Sequence, residues 1–146
     1  MDNLDRAARS FAMASVRSKG ARSTERRFGS LLAREGVRGW RLGHGSGILG
    51  RPDIVFEASR TVVFLDGCFW HGCRRCRSLP RRNRNFWREK IAGNVRRDRS
   101  TSRRLRDEGW KVVRIWEHEI AANPHRALAR VMARRGGVTK RPASGN

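Results

Sequence analysis

Acidic residues are scarce in this sequence. Thirteen Asp and Glu stand against thirty-four Lys and Arg in 146 residues, which leaves a formal net charge of +21 and an isoelectric point near 11.9. Thirty of these cations are arginines, and they are spread along the whole chain. Such an excess predicts a polyanionic partner, and its even spread assigns the charge to the folded domain rather than to one arm.

Long apolar runs and disulfide partners are also missing. No stretch of 18 apolar residues occurs, and no charged start is followed by an apolar stretch and a small-residue cleavage site. We therefore expect a protein that neither spans a membrane nor is secreted. The three cysteines all lie between positions 68 and 76, too close together for a disulfide framework. Reduced thiols and metal ligands remain as interpretations.

The length suits one domain, and the composition suits a folded one. Hydrophobic residues make up 38% of the chain, and five Trp and six Phe are too many for a disordered basic tail. We expect an N-terminal arm over 1–20, one folded domain over 21–135 and a disordered tail over 136–146.

The order of elements predicts a mixed α/β fold. Gly36, Gly109 and the pair Asn123-Pro124 mark helix boundaries, and β-branched runs mark the strands. The predicted helices cover 24–35, 86–108 and 124–134, and the predicted strands cover 40–42, 53–57, 61–66 and 111–116.

The second and third strands form a predicted hairpin that carries two of the few acids. If Glu57 faces Arg60 across the turn, Asp53 and Asp66 lie on the same face of the sheet as diagonal neighbours. Two such carboxylates can hold Mg²⁺ beside a phosphate, and a basic surface around them indicates a nuclease. The alternative is that Asp53 caps a turn and Asp66 pairs with an arginine at the surface.

His71 and the cysteines follow directly after Asp66. His71 suits general acid–base work near a metal and a phosphate, and it suits a zinc site equally well. Cys73 and Cys76 have the spacing of zinc ligands, Cys68 offers a third thiolate, and His118 is the best candidate for the fourth ligand. The alternative is three reduced thiols with no metal.

Adjacent aromatic residues stand in the same loop. Phe69 and Trp70 cannot both point into a core, and a loop held by zinc would present them outward as wedges that enter a base step, with Trp87 beside them. Ordinary packing is the alternative. Arginine clusters such as Arg96 and Arg97 are expected to contact phosphates, whereas many individual arginines are expected to be merely solvated.

These motifs together resemble the Vsr family, the very-short-patch mismatch repair endonucleases. The resemblance covers about residues 9–119 and is carried by RPDIVF (51–56), VVFLDGCFWHGC (62–73), FWREKI (86–91), NVRRDR (94–99) and GWKVVRIWEHE (109–119). It implies the PD-(D/E)xK restriction-endonuclease-like fold and a Mg²⁺-dependent nick 5′ to the mismatched T of a G:T pair. Such mismatches arise when 5-methylcytosine deaminates.

The resemblance also implies residue roles. Asp53 becomes the central Mg²⁺ ligand with the backbone carbonyl of Leu65 beside it, His71 the general base, and Glu25 a supporting catalytic residue. The structural zinc ligands are Cys68, Cys73, Cys76 and His118, and the arm becomes a clasp on DNA. Candidate DNA contacts are Phe69, Trp70, Trp87, Arg51, Lys90, Asn94 and Arg97.

The sequence departs from the family pattern at several positions. Well-known members have histidine where Asp66 stands, so Asp66 is a candidate second Mg²⁺ ligand or proton handler. Cys68 takes the place of the lysine in the general nuclease motif, which strengthens His71 as the base. Leu65 lacks the hydroxyl of the threonine in some relatives. Cys73 and His118 exchange ligand types with relatives, which zinc tolerates.

The implied partners are double-stranded DNA with a G:T mismatch, a downstream DNA polymerase and ligase, and a cytosine-5 methyltransferase in the same pathway. The resemblance implies a monomer in the bacterial cytoplasm, associated with the nucleoid. Alternatives are a nicking enzyme with another mismatch or a modified base as its trigger, a zinc-stabilised DNA-binding module without catalysis, and a basic RNA-binding protein.

Overall fold

The computed structural model describes residues 24–76 and 79–136. The predicted arm over 1–20 lies outside the described residues, as does the predicted tail beyond Gly136. Within the described ranges, no helix is long and apolar enough to cross a bilayer.

The described residues form four helices and four strands, and every predicted element is confirmed. The first helix, α1, covers 24–34. The remaining elements are β1 (Trp40–Leu42), β2 (Ile54–Phe56), β3 (Thr61–Asp66), α2 (Arg84–Asp107), β4 (Lys111–Trp116), α3 (Glu117–Ala122) and α4 (Pro124–Arg135). The short helix α3 was not predicted, because six residues with one buried side chain, Ile120, are too few to show a helical period.

The predicted helix boundaries follow local chemistry. Gly36 has a φ of 71° and Gly109 a φ of 94°, in the left-handed region that ends helices. The Asn123 side-chain oxygen accepts a hydrogen bond from the backbone N–H of Arg126 at 3.1 Å, directly before Pro124. These residues satisfy backbone groups that the helices leave free at their ends.

One sheet with strand order β1-β2-β3-β4 forms the centre of the fold. The pairs β1–β2 and β2–β3 are antiparallel, and β3 runs parallel to β4 through the crossover helix α2. Ile54 pairs with Val63 and Phe56 with Thr61. Asp53 lies directly before this ladder and donates its backbone N–H to the carbonyl of Val63, so the shared sheet face of Asp53 and Asp66 stays a prediction.

The two faces of the sheet bury separate apolar clusters. One face packs α1 and α4 onto the sheet, and its cluster includes Phe28, Ile54, Ile115 and Val131. The opposite face packs α2 through Leu105 onto Val55, Val62 and Val112. Burial of each such side chain is worth about 1.5–3 kcal/mol, so α2 is held firmly at its C-terminal half and carries its N-terminal half over the end of the sheet.

Helix α2 is amphipathic. Trp87, Ile91 and Leu105 are buried, and Val95 is half-buried. Asn94 and Ser102 complete the buried side of the helix. Polar residues on that side indicate that α2 makes hydrogen bonds above the sheet as well as apolar contacts.

The glycine-rich loop 43–50 packs tightly against the start of β2. Gly43 donates its backbone N–H to the carbonyl of Asp53 at 3.0 Å. A Cβ atom built on Gly43 would stand 1.8 Å from the carbonyl oxygen of Pro52. Only glycine allows this approach, which holds the backbone of Pro52 and Asp53 in place.

We expect Gly43→Ala to destabilise the protein by about 1–3 kcal/mol, because the added methyl group must displace the Pro52 backbone. Gly29→Ala in α1 is the matched control, since its Cβ would meet only Trp40 at 3.8 Å, and it should stabilise the helix by about 0.5–1 kcal/mol. Urea denaturation measures both. Equal stability of the Gly43→Ala variant and the unaltered protein would contradict the close packing.

Candidate active site and metal centre

The predicted chemical residues meet at one end of the sheet. Strands β3 and β4 are parallel, so Asp66 and Trp116 end side by side. Strand β2 runs the other way, which brings Asp53 at its start to the same end. His71 and the cysteines follow β3, and His118 follows β4, so the sheet topology gathers all of them.

Asp53 is held against the backbone of β3. Its Oδ2 accepts a hydrogen bond from the N–H of Leu65 at 2.7 Å. The carbonyl of Val63 accepts from the N–H of Asp53 at 2.9 Å. Because carbonyls two residues apart in a strand point to the same side, the Leu65 carbonyl also points towards β2 and Asp53.

Burial, together with the nearby carboxylates of Glu25 and Asp66, raises the pKa of Asp53 to about 6, while the hydrogen bond from Leu65 and the nearby His44 act to lower it. A half-buried carboxylate beside two other acids favours a cation. The ring of His44 lies 3.1 Å from Glu25 through Nε2 and Oε2. We call Glu25, His44 and Asp53 the Asp53 group.

Asp66 makes a two-pronged ion pair with Arg114. Both carboxylate oxygens accept hydrogen bonds from Nη1 of Arg114, at 3.0 and 3.1 Å. The same guanidinium donates from Nε to Ser102 at 2.9 Å and stacks over the ring of Phe64 at 4.1 Å. Burial raises the pKa of Asp66, and the charges of Arg114 and His71 oppose that rise. Arg114 therefore ties β4, β3 and α2 together at the Asp66 carboxylate.

His71 lies beside Asp66 and is oriented by a second acid. Its Nδ1 is 2.5 Å from Oδ2 of Asp98 and 3.8 Å from Oδ1 of Asp66. Burial alone would raise the pKa of Asp98, but the hydrogen bond and charge of His71, together with Arg114 and Arg97, lower it. An ionised Asp98 selects the tautomer with the proton on Nδ1. We call Asp66, His71, Asp98 and Arg114 the His71 group.

The four predicted zinc ligands form one cluster. The Nδ1 atom of His118 lies 3.3 Å from Sγ of Cys68, 3.6 Å from Sγ of Cys73 and 3.4 Å from Sγ of Cys76. The four ligand atoms lie within 4.8 Å of one another. A tetrahedral zinc ion separates its sulfur and nitrogen ligands by about 3.6 Å, so these residues fit a metal ion such as zinc.

The pKa values of two thiols in the cluster are shifted in opposite directions. Burial, with help from the neighbouring thiols, raises the pKa of Cys68 to about 12. Burial also acts to raise the pKa of Cys73, but the backbone N–H groups of Cys76 and Arg75 outweigh it and lower the value. A divalent cation would stabilise several thiolates at once.

The aromatic residues pack on one another more than the sequence predicts. Phe69 and Trp70 are half-buried, with ring centroids 5.1 Å apart, and each meets Trp87 edge-on. Trp87 is only 4% exposed, whereas its neighbour Phe86 is 47% exposed. Phe69 and Trp70, which were expected to point outward, are thus partly covered and pack against Trp87. Phe86 is the most exposed aromatic ring of this group.

The other candidate DNA-contacting residues differ in their exposure to solvent. Arg51, Lys90 and Arg97 are exposed. Asn94 is buried, and its side-chain amide donates to the carbonyl of Trp70 at 2.9 Å and accepts from Arg97 at 3.2 Å. Asn94 therefore holds the loop that carries Trp70 against α2.

Sequence reasoning assigned no role to His44, Asp98 or Arg114. For two of them a signal was present. Asp98 stands two helical turns after Ile91, on the buried side of α2, where an acid needs a partner. Arg114 lies two residues after Val112, so both side chains point to the same inward face of β4. The loop 43–50 offers no period from which the position of His44 follows.

Comparisons with known proteins agree with this geometry. The family model described as DNA mismatch endonuclease Vsr matches residues 1–77. The chain is 41% identical over 122 residues to the type II nicking enzyme V.XorIIP of Xanthomonas oryzae pv. oryzae, covering 82% of this chain and 87% of that protein. It is 39% identical over 118 residues to the DNA mismatch endonuclease Vsr of Escherichia coli, covering 80% of this chain and 73% of that protein.

A further similarity is shorter. The chain is 47% identical over 75 residues to the type II nicking enzyme V.NaeI of Lentzea aerocolonigenes, which is 51% of this chain and 45% of that protein. The match therefore spans about half the length of that relative. Since the family model covers more than half of the chain and the longer similarities cover most of it, the chain belongs to the family of Vsr DNA mismatch endonucleases.

Proposed function

We propose that this DNA mismatch endonuclease cuts one strand 5′ to the mismatched T of a G:T pair in a Mg²⁺-dependent reaction, as the first step of very short patch repair. The observation that carries the proposal is the meeting of the Asp53 group with the His71–Asp98 pair at one end of the sheet. A cation-binding carboxylate and an oriented base, side by side, are what phosphodiester hydrolysis requires.

The arrangement supports a restriction-endonuclease-like PD-(D/E)xK fold. Asp53 follows Pro52 at the start of one strand of a hairpin, and Asp66 ends the next strand. Cys68 stands where the general motif has lysine, and it belongs to the thiol cluster. The base must then come from another residue, and His71 lies 3.8 Å from Asp66 and is oriented by Asp98.

The residues fit Mg²⁺ at Asp53. One oxygen of its carboxylate is engaged by Leu65, the Leu65 carbonyl points to the same side, and burial beside Glu25 favours a positive ion there. Oxygen ligands of this kind with several waters are typical of Mg²⁺ sites. When bound, the ion would stabilise the charge that develops on the cleaved phosphate. The Arg114 ion pair favours Asp66 as the proton-handling neighbour of His71 over a direct ligand.

His71 takes the proton from the attacking water in this proposal. Its Nδ1 is engaged by Asp98, and Nε2 makes no hydrogen bond to any of the described residues. The Asp98 carboxylate stabilises the imidazolium that forms when Nε2 accepts the proton. Glu25 supports Asp53 from α1 and holds His44 through its own carboxylate.

The aromatic and basic residues around the site contact DNA in this proposal. Phe69 and Trp70, supported by Trp87 and held by Asn94, are positioned to unstack a weakly stacked mismatched step, and a mismatched step costs less to open than a paired one. Arg51, Lys90 and Arg97 contact the phosphate backbone. A monomer acting in the bacterial cytoplasm would hand the nick to a DNA polymerase and a ligase, in a pathway supplied by a cytosine-5 methyltransferase.

A second candidate keeps the same nuclease and changes its trigger. Several relatives carry the name type II nicking enzyme rather than mismatch endonuclease, which favours a test of other mismatches and flanking sequences. The zinc-stabilised binding module without catalysis is disfavoured, because the chain belongs to an endonuclease family.

The first experiment uses end-labelled duplexes that differ only in one G:T or G:C pair, in several flanking contexts, with Mg²⁺ and the protein. We expect nicking 5′ to the T of the mismatched duplex alone.

Asp53→Asn should lose at least about 100-fold in nicking rate and bind the duplex equally or more tightly, because the metal ligand and a negative charge are both removed. Equal cutting of paired and mismatched duplexes would reject the G:T proposal, and loss of binding by Asp53→Asn would contradict the role of Asp53.

The pKa of Asp53 predicts a stability change of defined sign. Its folded-state value of about 6 exceeds the ordinary 3.8, so its stabilising contribution is complete below pH 3.8 and is lost as the pH rises through 6. Asp53→Asn should therefore raise the Tm by about 3–6 °C at pH 8 without Mg²⁺, and by much less at pH 4.5. Calorimetry at both pH values measures this, and an equal shift at the two values would exclude ionisation as the cause.

The cysteine cluster is proposed as a structural zinc site that fixes the loop carrying His71. Cys76→Ser should lose one equivalent of zinc and unfold at a lower temperature, because binding energy of such sites is folding energy. His118→Cys is the matched control, since zinc accepts either ligand, and it should retain the metal while His118→Ala loses it. Metal content by mass spectrometry and Tm measure all three. A folded, zinc-free and active Cys76→Ser variant would overturn the structural role.

A further inference from the structure

A second cationic surface lies behind the candidate active site. An open groove of about 1570 Å³ runs between α2 and the helices α3 and α4, beside β4, which is an edge strand. One end of the groove is formed by Asp66, His71 and Asp98. Neither Asp53 nor the aromatic residues Phe69 and Trp70 line it, so the groove meets the candidate active site at the His71 group and extends from there along α2 and β4.

Helix α2 presents different arginines to the two sides. At 100° per residue, Lys90 and Arg97 fall on one flank of the buried stripe, next to the aromatic residues. Arg88, Arg99 and Arg103 fall on the other flank and line the groove. The buried stripe of α2 therefore separates the arginines that line the groove from Lys90 and Arg97 beside the aromatic residues.

The groove carries charge that the described residues do not neutralise. Arg88, Arg99, Arg103 and, from α4, Arg126 are exposed, and none of them forms an ion pair with a described acid. Three acids of the groove are already engaged: Asp66 with Arg114, Asp98 with His71, and Glu119 with Arg130 at 2.6 Å. Asp107 stands alone at the far end of α2. The walls of the groove therefore offer a row of free guanidinium groups.

We propose that this groove, defined by Arg88, Arg99, Arg103 and Arg126, binds a single DNA strand that leads away from the nicked phosphate. The groove begins at the His71 group, so a strand continuing from the cleaved bond enters it directly. Guanidinium rows along a groove track a phosphate backbone without reading sequence. The origin of the strand rests on the proposed function, whereas the affinity of the groove for single-stranded DNA does not.

The test compares two nicked G:T duplexes, one flush and one with a 12-nucleotide single-stranded flap on either side of the nick. Binding is measured by fluorescence anisotropy without Mg²⁺, so no cleavage is needed. The groove variant is Arg99→Gln, Arg103→Gln and Arg126→Gln together, and glutamine keeps the helix propensity of arginine. The control variant, Arg34→Gln, Arg38→Gln and Arg134→Gln, removes the same charge from exposed arginines that do not line the groove.

We expect the unaltered protein to bind the flap duplex more tightly than the flush duplex. The groove variant should lose about tenfold in affinity for the flap duplex and less than twofold for the flush one, and the slope of log K against log salt on the flap duplex should fall by about 2. The control variant should keep the preference for the flap. Circular dichroism and Tm verify that both variants fold.

Two results overturn the inference. Equal losses of the groove variant on both duplexes would mean that the groove belongs to the general duplex surface, and no loss on either would mean that it binds no strand. The proposed function fails separately: a protein that prefers flaps but never nicks G:T duplexes would retain the groove and lose the repair reaction.

Discussion

The pairing register of β2 with β3 is the constraint on which the candidate active site depends. Ile54 pairs with Val63 directly after Asp53, and the hydrogen bond from the Leu65 N–H to the Asp53 carboxylate holds that side chain against β3. A slip of one residue would reverse the faces of the β2 side chains and separate Asp53 from Leu65. The close contact of Gly43 with Pro52 holds the same strand end from the outside, so two independent backbone contacts define where the carboxylate lies.

The site is divided into two electrostatic groups. In the Asp53 group, the Asp53 carboxylate lies near the carboxylates of Glu25 and Asp66, which favours a cation beside it. The His71 group contains its own cation, Arg114, which engages Asp66 and lies 4.0 Å from Asp98. In the proposed function, the carboxylates at this end of the sheet would therefore have distinct tasks, since one would hold a metal and the others would orient a base.

The thiol cluster connects these groups to the rest of the fold. Residues 67–76 contain no helix or strand, yet they carry His71 and both half-buried aromatic residues. Three cysteines of this loop meet His118 of α3, the helix that follows β4. A metal ion there would fix the loop where apolar burial alone is too small to order it.

The high net charge of the chain favours binding of a polyanion. Exposed arginines on both flanks of α2 repel one another until phosphates lie between them.

Local patterns in the sequence determined the strands, three of the helices, the hairpin register and the Cys68, Cys73, Cys76 and His118 set. These features depend on periods of a few residues, on glycine and asparagine at helix ends and on ligand spacing. Tertiary structure alone decided that Arg114 pairs with Asp66, that Asp98 orients His71, that Trp87 is buried beneath Phe69 and Trp70, and that the arginines of α2 divide between two surfaces. Such contacts join elements that are far apart in sequence, 48 residues for Asp66 and Arg114, and they follow from how the helices pack on the sheet rather than from any local pattern.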